Sequence, residues 1–197
     1  MQRGIFWILL LFSSSLWAMP AKIILIRHAD KLEQMNTGPA LSPEGIQRAN
    51  HFAQYYLTKF EKIPDYIIAT NPNNPNCTKP ICAVGTIRPL QTVAPLITEI
   101  YRRDPQTKKD LLLAPYPNKQ FPALIHLLNA NYLNNTFLLI CLGHKHIPEF
   151  LQTLTREYQS NLTLPNKWKG DDFNTVYVLT FANAKKQVNI EILRDQY

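Results

Sequence analysis

Three short stretches of the 197-residue chain combine residue types that can handle a small anion. Arg27-His28 follows the apolar run Ile23-Ile24-Leu25-Ile26. Arg88 stands directly before Pro89. Gly143-His144 follows the apolar stretch from Thr136 to Leu142. A guanidinium presents forked N–H donors that match the oxygens of a phosphate or carboxylate. A neutral imidazole nitrogen is a nucleophile or a base, and a protonated one is a cationic donor. Each pair alone is commonplace on a protein surface. Their weight comes from the elements that carry them.

Lys22 to Ile26 and Thr136 to Leu142 are short and continuously apolar, the mark of strands buried on both faces. Asp65 to Ala69 reads as a further short strand. Ser42-Pro43 reads as a helix cap and first helical residue, with Ile46, Ala49, Ala53, Tyr56, Leu57 and Phe60 following at helical spacing. Pro89 opens a helix carrying Val93, Leu96, Ile97 and Ile100, behind a loop over Thr70 to Ile87. Phe121 to Leu128 and Ile147 to Tyr158 are two more helices. Thr175 to Phe181 and Val188 to Leu193 close the chain as strands around a turn at Asn183-Ala184. Strands alternating with helices predict an α/β fold, a three-layer sandwich with a largely parallel central sheet. In such sheets ligands bind outside the carboxyl ends of the strands. Arg27-His28 and Gly143-His144 lie at that end, and Arg88 lies at a helix start, where free N–H groups favour anions. The three stretches therefore converge on one basic, phosphate-sized pocket.

Composition fits this reading. Hydrophobic residues make up 46% and charged residues 18%, which excludes a disordered or fibrous chain. The formal net charge is +7, which suits an anionic partner. The basic residues are scattered in short pairs such as Arg102-Arg103 and Lys185-Lys186, so no nucleic-acid tail or stripe is expected. Arg3, the apolar run Ile5 to Phe12 and the small residue Ala18 form the pattern of a secretory signal peptide over residues 1–18. The run is too short to span a membrane. A single domain over 19–197, exported to the periplasm or the medium and without stable membrane insertion, is the expectation. In that compartment Cys77 and Cys82 are close enough in sequence to close a small disulfide loop. Cys141 lies inside an apolar strand, where packing accounts for it.

The run Ile23 to Lys31 resembles the opening strand of the histidine phosphatase superfamily, the phosphoglycerate-mutase-like proteins. Four further stretches resemble small bacterial members in the same order. Leu41-Ser42-Pro43-Glu44-Gly45 is similar to their first helix start, and Arg88-Pro89-Leu90-Gln91-Thr92 to their second arginine element. Leu142-Gly143-His144-Lys145-His146-Ile147-Pro148-Glu149 is similar to their second histidine element, and Asp171 to Thr180 to their closing strand. The resemblance implies hydrolysis of a small-molecule phosphate ester through a phosphohistidine on His28. Arg27, Arg88 and His144 would bind the phosphate, with no metal or other cofactor.

The chain departs from the family pattern in places. Ala29 and Ile87 stand where many members have Gly and Ser. The position after the second histidine, an acid in the phytase-like branch, is Lys145. For the general acid the sequence offers Glu99, Asp30 and Glu149 without deciding among them. A weak acid restricts an enzyme to good leaving groups. Two other functions compete. One is metal-dependent hydrolysis by His144 and His146, a pair on a loop with few flanking carboxylates. The other is a module that binds phosphate or a partner without turnover. Neither the natural substrate nor the oligomeric state has a readable signature.

Overall fold

A computed structural model describes residues 19–31, 38–72, 85–105, 112–116, 120–182, 186–194 and 197. The strands are β1 (Lys22–Arg27), β2 (Tyr66–Thr70), β3 (Leu112–Tyr116), β4 (Phe137–Leu142), β5 (Gln159–Ser160), β6 (Thr175–Ala182) and β7 (Gln187–Arg194). The helices are α1 (Pro43–Lys59), α2 (Arg88–Arg103), α3 (Phe121–Leu128) and α4 (His146–Glu157). They form one sheet in the order β3-β2-β4-β1-β6-β7-β5. Relative to β1, only β6 runs the opposite way.

The two central strands explain their own sequences. Every residue of β4 is buried, and β1 is buried from Ile23 to Arg27. Alternation then splits the side chains between two cores. Ile24, Ile26, Leu139 and Cys141 pack with Phe52 and Tyr56 of α1 and with Val93 and Leu96 of α2. Ile23, Leu25, Leu138 and Ile140 pack with Leu124 of α3 and with Phe150 and Leu151 of α4. Helices thus cover both faces, giving the expected three layers.

Ser42 caps α1 as its sequence suggests, its Oγ accepting from the Gly45 amide at 3.0 Å. Helix α2 begins one residue earlier than expected and contains Pro95. β3 was not anticipated. It is an edge strand containing Pro115, and an edge is where a strand tolerates proline. The expected turn at Asn183-Ala184 lies outside the described residues, though β6 and β7 do pair antiparallel. Among the described residues no helix is long and apolar enough to cross a membrane.

Candidate active site

β1 and β4 are parallel neighbours with Arg27 opposite Leu142. The His28 amide donates to the Leu142 carbonyl at 3.0 Å, continuing the ladder by one residue. His28 therefore lies beside Gly143, and His144 follows at the same carboxyl edge. His28 is only 5% exposed. Its Nδ1 lies 2.7 Å from the Ala29 carbonyl oxygen. A carbonyl only accepts, so Nδ1 carries the proton and the lone pair sits on Nε2. Burial lowers the His28 pKa to about 4. The Ala29 bond opposes that shift, and Arg27, Arg88 and His144 add to it. His28 is thus a neutral imidazole surrounded by cationic groups.

Arg27 is 2% exposed. Its Nη1 donates to the carbonyls of Gly170 at 2.7 Å and Asp172 at 2.9 Å, with Lys169 at 3.4 Å. The guanidinium carbon lies 3.8 Å from the centre of the Phe173 ring. Burial lowers the Arg27 pKa to about 10, opposed by Asp172, Asp30 and Asp171, so the group is charged at neutral pH. Arg88 is held in a similar way from another side. Its Nε donates to Ala40 at 3.1 Å and its Nη2 to Gly38 at 3.0 Å. Both arginines are therefore oriented by backbone carbonyls rather than by a carboxylate bonded to the guanidinium.

The start of α2 is tied to the end of β1. Thr92 Oγ1 accepts from the Ala29 amide at 2.9 Å and donates to the Arg88 carbonyl at 2.8 Å. Gln91 accepts from the Leu41 amide at 2.8 Å, and Thr86 Oγ1 accepts from the Arg88 amide at 3.3 Å. That hydroxyl lies one position before Ile87, where the family resemblance led us to expect serine. Ala29 does not crowd the site; its methyl packs with Leu41 and Ala49. His144 is half-exposed with a pKa lowered to about 4, first by desolvation and then by Arg27, Lys145, Lys31 and His146. Both lysines are exposed. The structure thus gathers Arg27, His28, Arg88 and His144 at one edge of the sheet.

Of the three acid candidates, Glu99 and Asp30 pair with arginines of α2 and α1, and Glu149 lies on α4. Glu99 is a correction. It lies about 16 Å along the α2 axis from Arg88 and pairs with Arg102 at 2.7 Å. Asp30 is next to the site in sequence, but its carboxylate pairs with Arg48 of α1 at 2.5 Å. Glu149 is exposed in the first turn of α4, whose neighbouring residues Ile147, Pro148 and Phe150 face the core. The His146 ring packs 5.9 Å from Phe121. Cys77 and Cys82 lie outside the described residues. Sequence reasoning missed Thr92, Trp168, Asp172 and Phe173, which all act by shaping the residues around the site. A hydroxyl in a helix and an Asp in a polar loop carry no local signal of such a role.

No protein-family model and no curated protein matches the chain, whereas solved structures do. The protein histidine phosphatase SixA, solved with tungstate, superposes with a TM-score of 0.57 at 10% identity. The match covers 88% of this chain and 96% of that one. The phosphoglycerate mutase of Plasmodium falciparum superposes with a TM-score of 0.51 at 16% identity, covering 86% of this chain and 87% of that one. The fold is phosphoglycerate-mutase-like. In this phosphoglycerate-mutase-like chain the gathered arginines and histidines lie at the carboxyl edge of the parallel strands, where α/β sheets bind ligands.

Proposed function

We propose that this chain is an exported phosphatase that hydrolyses phosphate monoesters through a phosphohistidine on His28. The observation that carries the reading is the bond from His28 Nδ1 to the Ala29 carbonyl, which places the lone pair on Nε2 of a neutral ring. Nε2 attacks phosphorus, the bond from phosphorus to the leaving oxygen breaks, and Arg27 and Arg88 stabilise the charge on the remaining oxygens. Water then attacks phosphorus, the P–N bond breaks, and phosphate leaves. The residues supply this route without a metal. Similarity to a protein histidine phosphatase solved with tungstate supports a phosphate-type site here.

Glu99 and Asp30 are paired with arginines, so neither is poised to protonate a leaving group. With neither acid poised, the site favours good leaving groups, such as those of aryl or acyl phosphates and phosphohistidine. Export rests on the signal-peptide pattern of residues 1–18; N-terminal sequencing of the cell-envelope protein should begin at Met19.

Hydrolysis of p-nitrophenyl phosphate, with and without EDTA, tests the mechanism. Turnover should survive the chelator and fall by about 10³-fold or more in His28→Ala. Turnover that persists in the variant would sink the phosphohistidine route, and loss with EDTA would point to a metal. The paired acid candidates favour one second reading, a module that binds phosphate without turnover. A folded wild-type protein that binds tungstate and hydrolyses nothing would establish it.

A further inference from the structure

A buried guanidinium needs partners for its N–H groups and something to fix its plane. For Arg27 one loop, 168–174, supplies the partners of Nη1 and fixes the plane, while Nε is buried without a partner among the described residues. The loop turns several carbonyls onto Nη1 and lays the Phe173 ring against the guanidinium. Carbonyls face inward there because of Asp172. Its Oδ1 accepts from the amides of Asn174 at 3.2 Å and Thr175 at 3.0 Å, and its Oδ2 accepts from the Thr175 hydroxyl at 2.7 Å. This side-chain turn bends the backbone just before β6. The Asp172 carbonyl then accepts from Arg27 and, at 2.7 Å, from the indole N–H of Trp168. Trp168 is anchored in the core, 5.5 Å from the Tyr177 ring of β6. β6 in turn pairs with β1, the strand that ends in Arg27. Tyr197 braces Phe173 from behind, its hydroxyl donating to the Phe173 carbonyl at 2.8 Å.

We infer that Asp172, seconded by Trp168, is a positioning residue for Arg27. It holds Nη1 in a carbonyl cradle so that Nη2, which makes no bond within the described residues, meets the substrate phosphate at a fixed angle. This inference rests on the phosphatase reading, in which Arg27 binds phosphate.

The test is calorimetric titration with inorganic phosphate and with tungstate, alongside thermal melting. The proteins are the wild type, Arg27→Lys, Asp172→Ala, Asp172→Asn and the double variant Arg27→Lys/Asp172→Ala. Asp172→Ala should weaken anion binding about tenfold, the worth of one well-aimed charged hydrogen bond. In the Arg27→Lys background the same change should cost almost nothing in affinity, because a lysine has no fork to aim. Asp172→Asn keeps an acceptor for the two amides and gains a donor for Thr175, so it should restore most of the affinity. Equal losses in the two backgrounds, or no loss in either, would overturn the inference and leave Asp172 a structural residue. If Arg27→Lys alone leaves affinity unchanged, the phosphate role of Arg27 fails first and takes this inference with it. Should Asp172→Ala not fold, Trp168→Phe removes the indole donor, with some loss of packing against Tyr177 that is common to both backgrounds. The same two-background comparison then applies to it.

Discussion

His28 and His144 have pKa values pushed to about 4, and in both cases loss of water outweighs every other influence. Nearby cations add to the shift, so a bound phosphate dianion should oppose it. In a titration followed by NMR without phosphate, both imidazoles should have midpoints near 4 rather than near the ordinary histidine value of 6.5. Saturating phosphate should move the His144 midpoint up. Midpoints near 6.5 in the anion-free protein would contradict the buried, cation-rich site. The same shift has a sign for stability. The folded pKa lies below the unfolded one, so between the two the unfolded chain binds more protons. Stability is complete above about 6.5 and falls as pH drops towards about 4. Urea midpoints at pH 7, 5 and 4 should decrease in that order, and a flat series would remove the linkage. At this scale the sequence is readable where a polar residue interrupts an apolar run. Arg27-His28 and Gly143-His144 stand out for that reason. Thr92 and Asp172 do not, because their partners are Ala29 and Arg27, distant in sequence and joined only by the fold.

The site is assembled by short contacts between element ends, and Gly45 marks the tightest. A Cβ at Gly45 would press into the carbonyl oxygen of Asp30, and it would lie 3.1 Å from the Asp30 carbonyl carbon and amide nitrogen. That carbonyl also accepts from the Ser42 amide at 3.1 Å, so it has little freedom to move. Gly45→Ala should push the start of α1 away from the end of β1. The expected cost is about 1–3 kcal/mol of stability, as for other overpacked sites, together with reduced turnover on p-nitrophenyl phosphate. Unchanged melting and turnover would mean that the approach has slack. The elements were largely legible beforehand. The periodicity of Ala49, Ala53 and Tyr56 and the unbroken apolar runs of β1 and β4 are local patterns set by burial. β3 was not legible, because a five-residue segment containing Pro115 reads as a loop until β2 supplies its partner. The close approach of Gly45 to Asp30 was equally hidden, since it depends on the angle at which α1 leaves β1.

Across the whole molecule the net charge of +7 has its counterpart in the cationic edge of the sheet. A surface of one sign draws anionic ligands towards such an edge and is weakened by salt. The architecture also contains a feature with a practical use. Cys141 lies in β4, between β1 and β2, and is completely buried, and burial pushes its thiol pKa well up. A sealed, protonated thiol is inert to disulfide exchange even where oxidants are abundant. It becomes reactive only when the central strand is uncovered, which amounts to opening the whole fold. Cys141 is thus a built-in clock for global opening. Its labelling by a thiol reagent, followed by mass mapping so that Cys77 and Cys82 are scored separately, should be slow in the native protein. Phosphate should slow it further by a factor of one plus the ratio of ligand concentration to Kd. Labelling at the rate of an exposed thiol would mean that the sheet opens locally. A rate indifferent to phosphate would mean that the anion does not bind the folded state. Ligand affinity can thus be read from a strand that never touches the ligand, whether or not the protein turns it over.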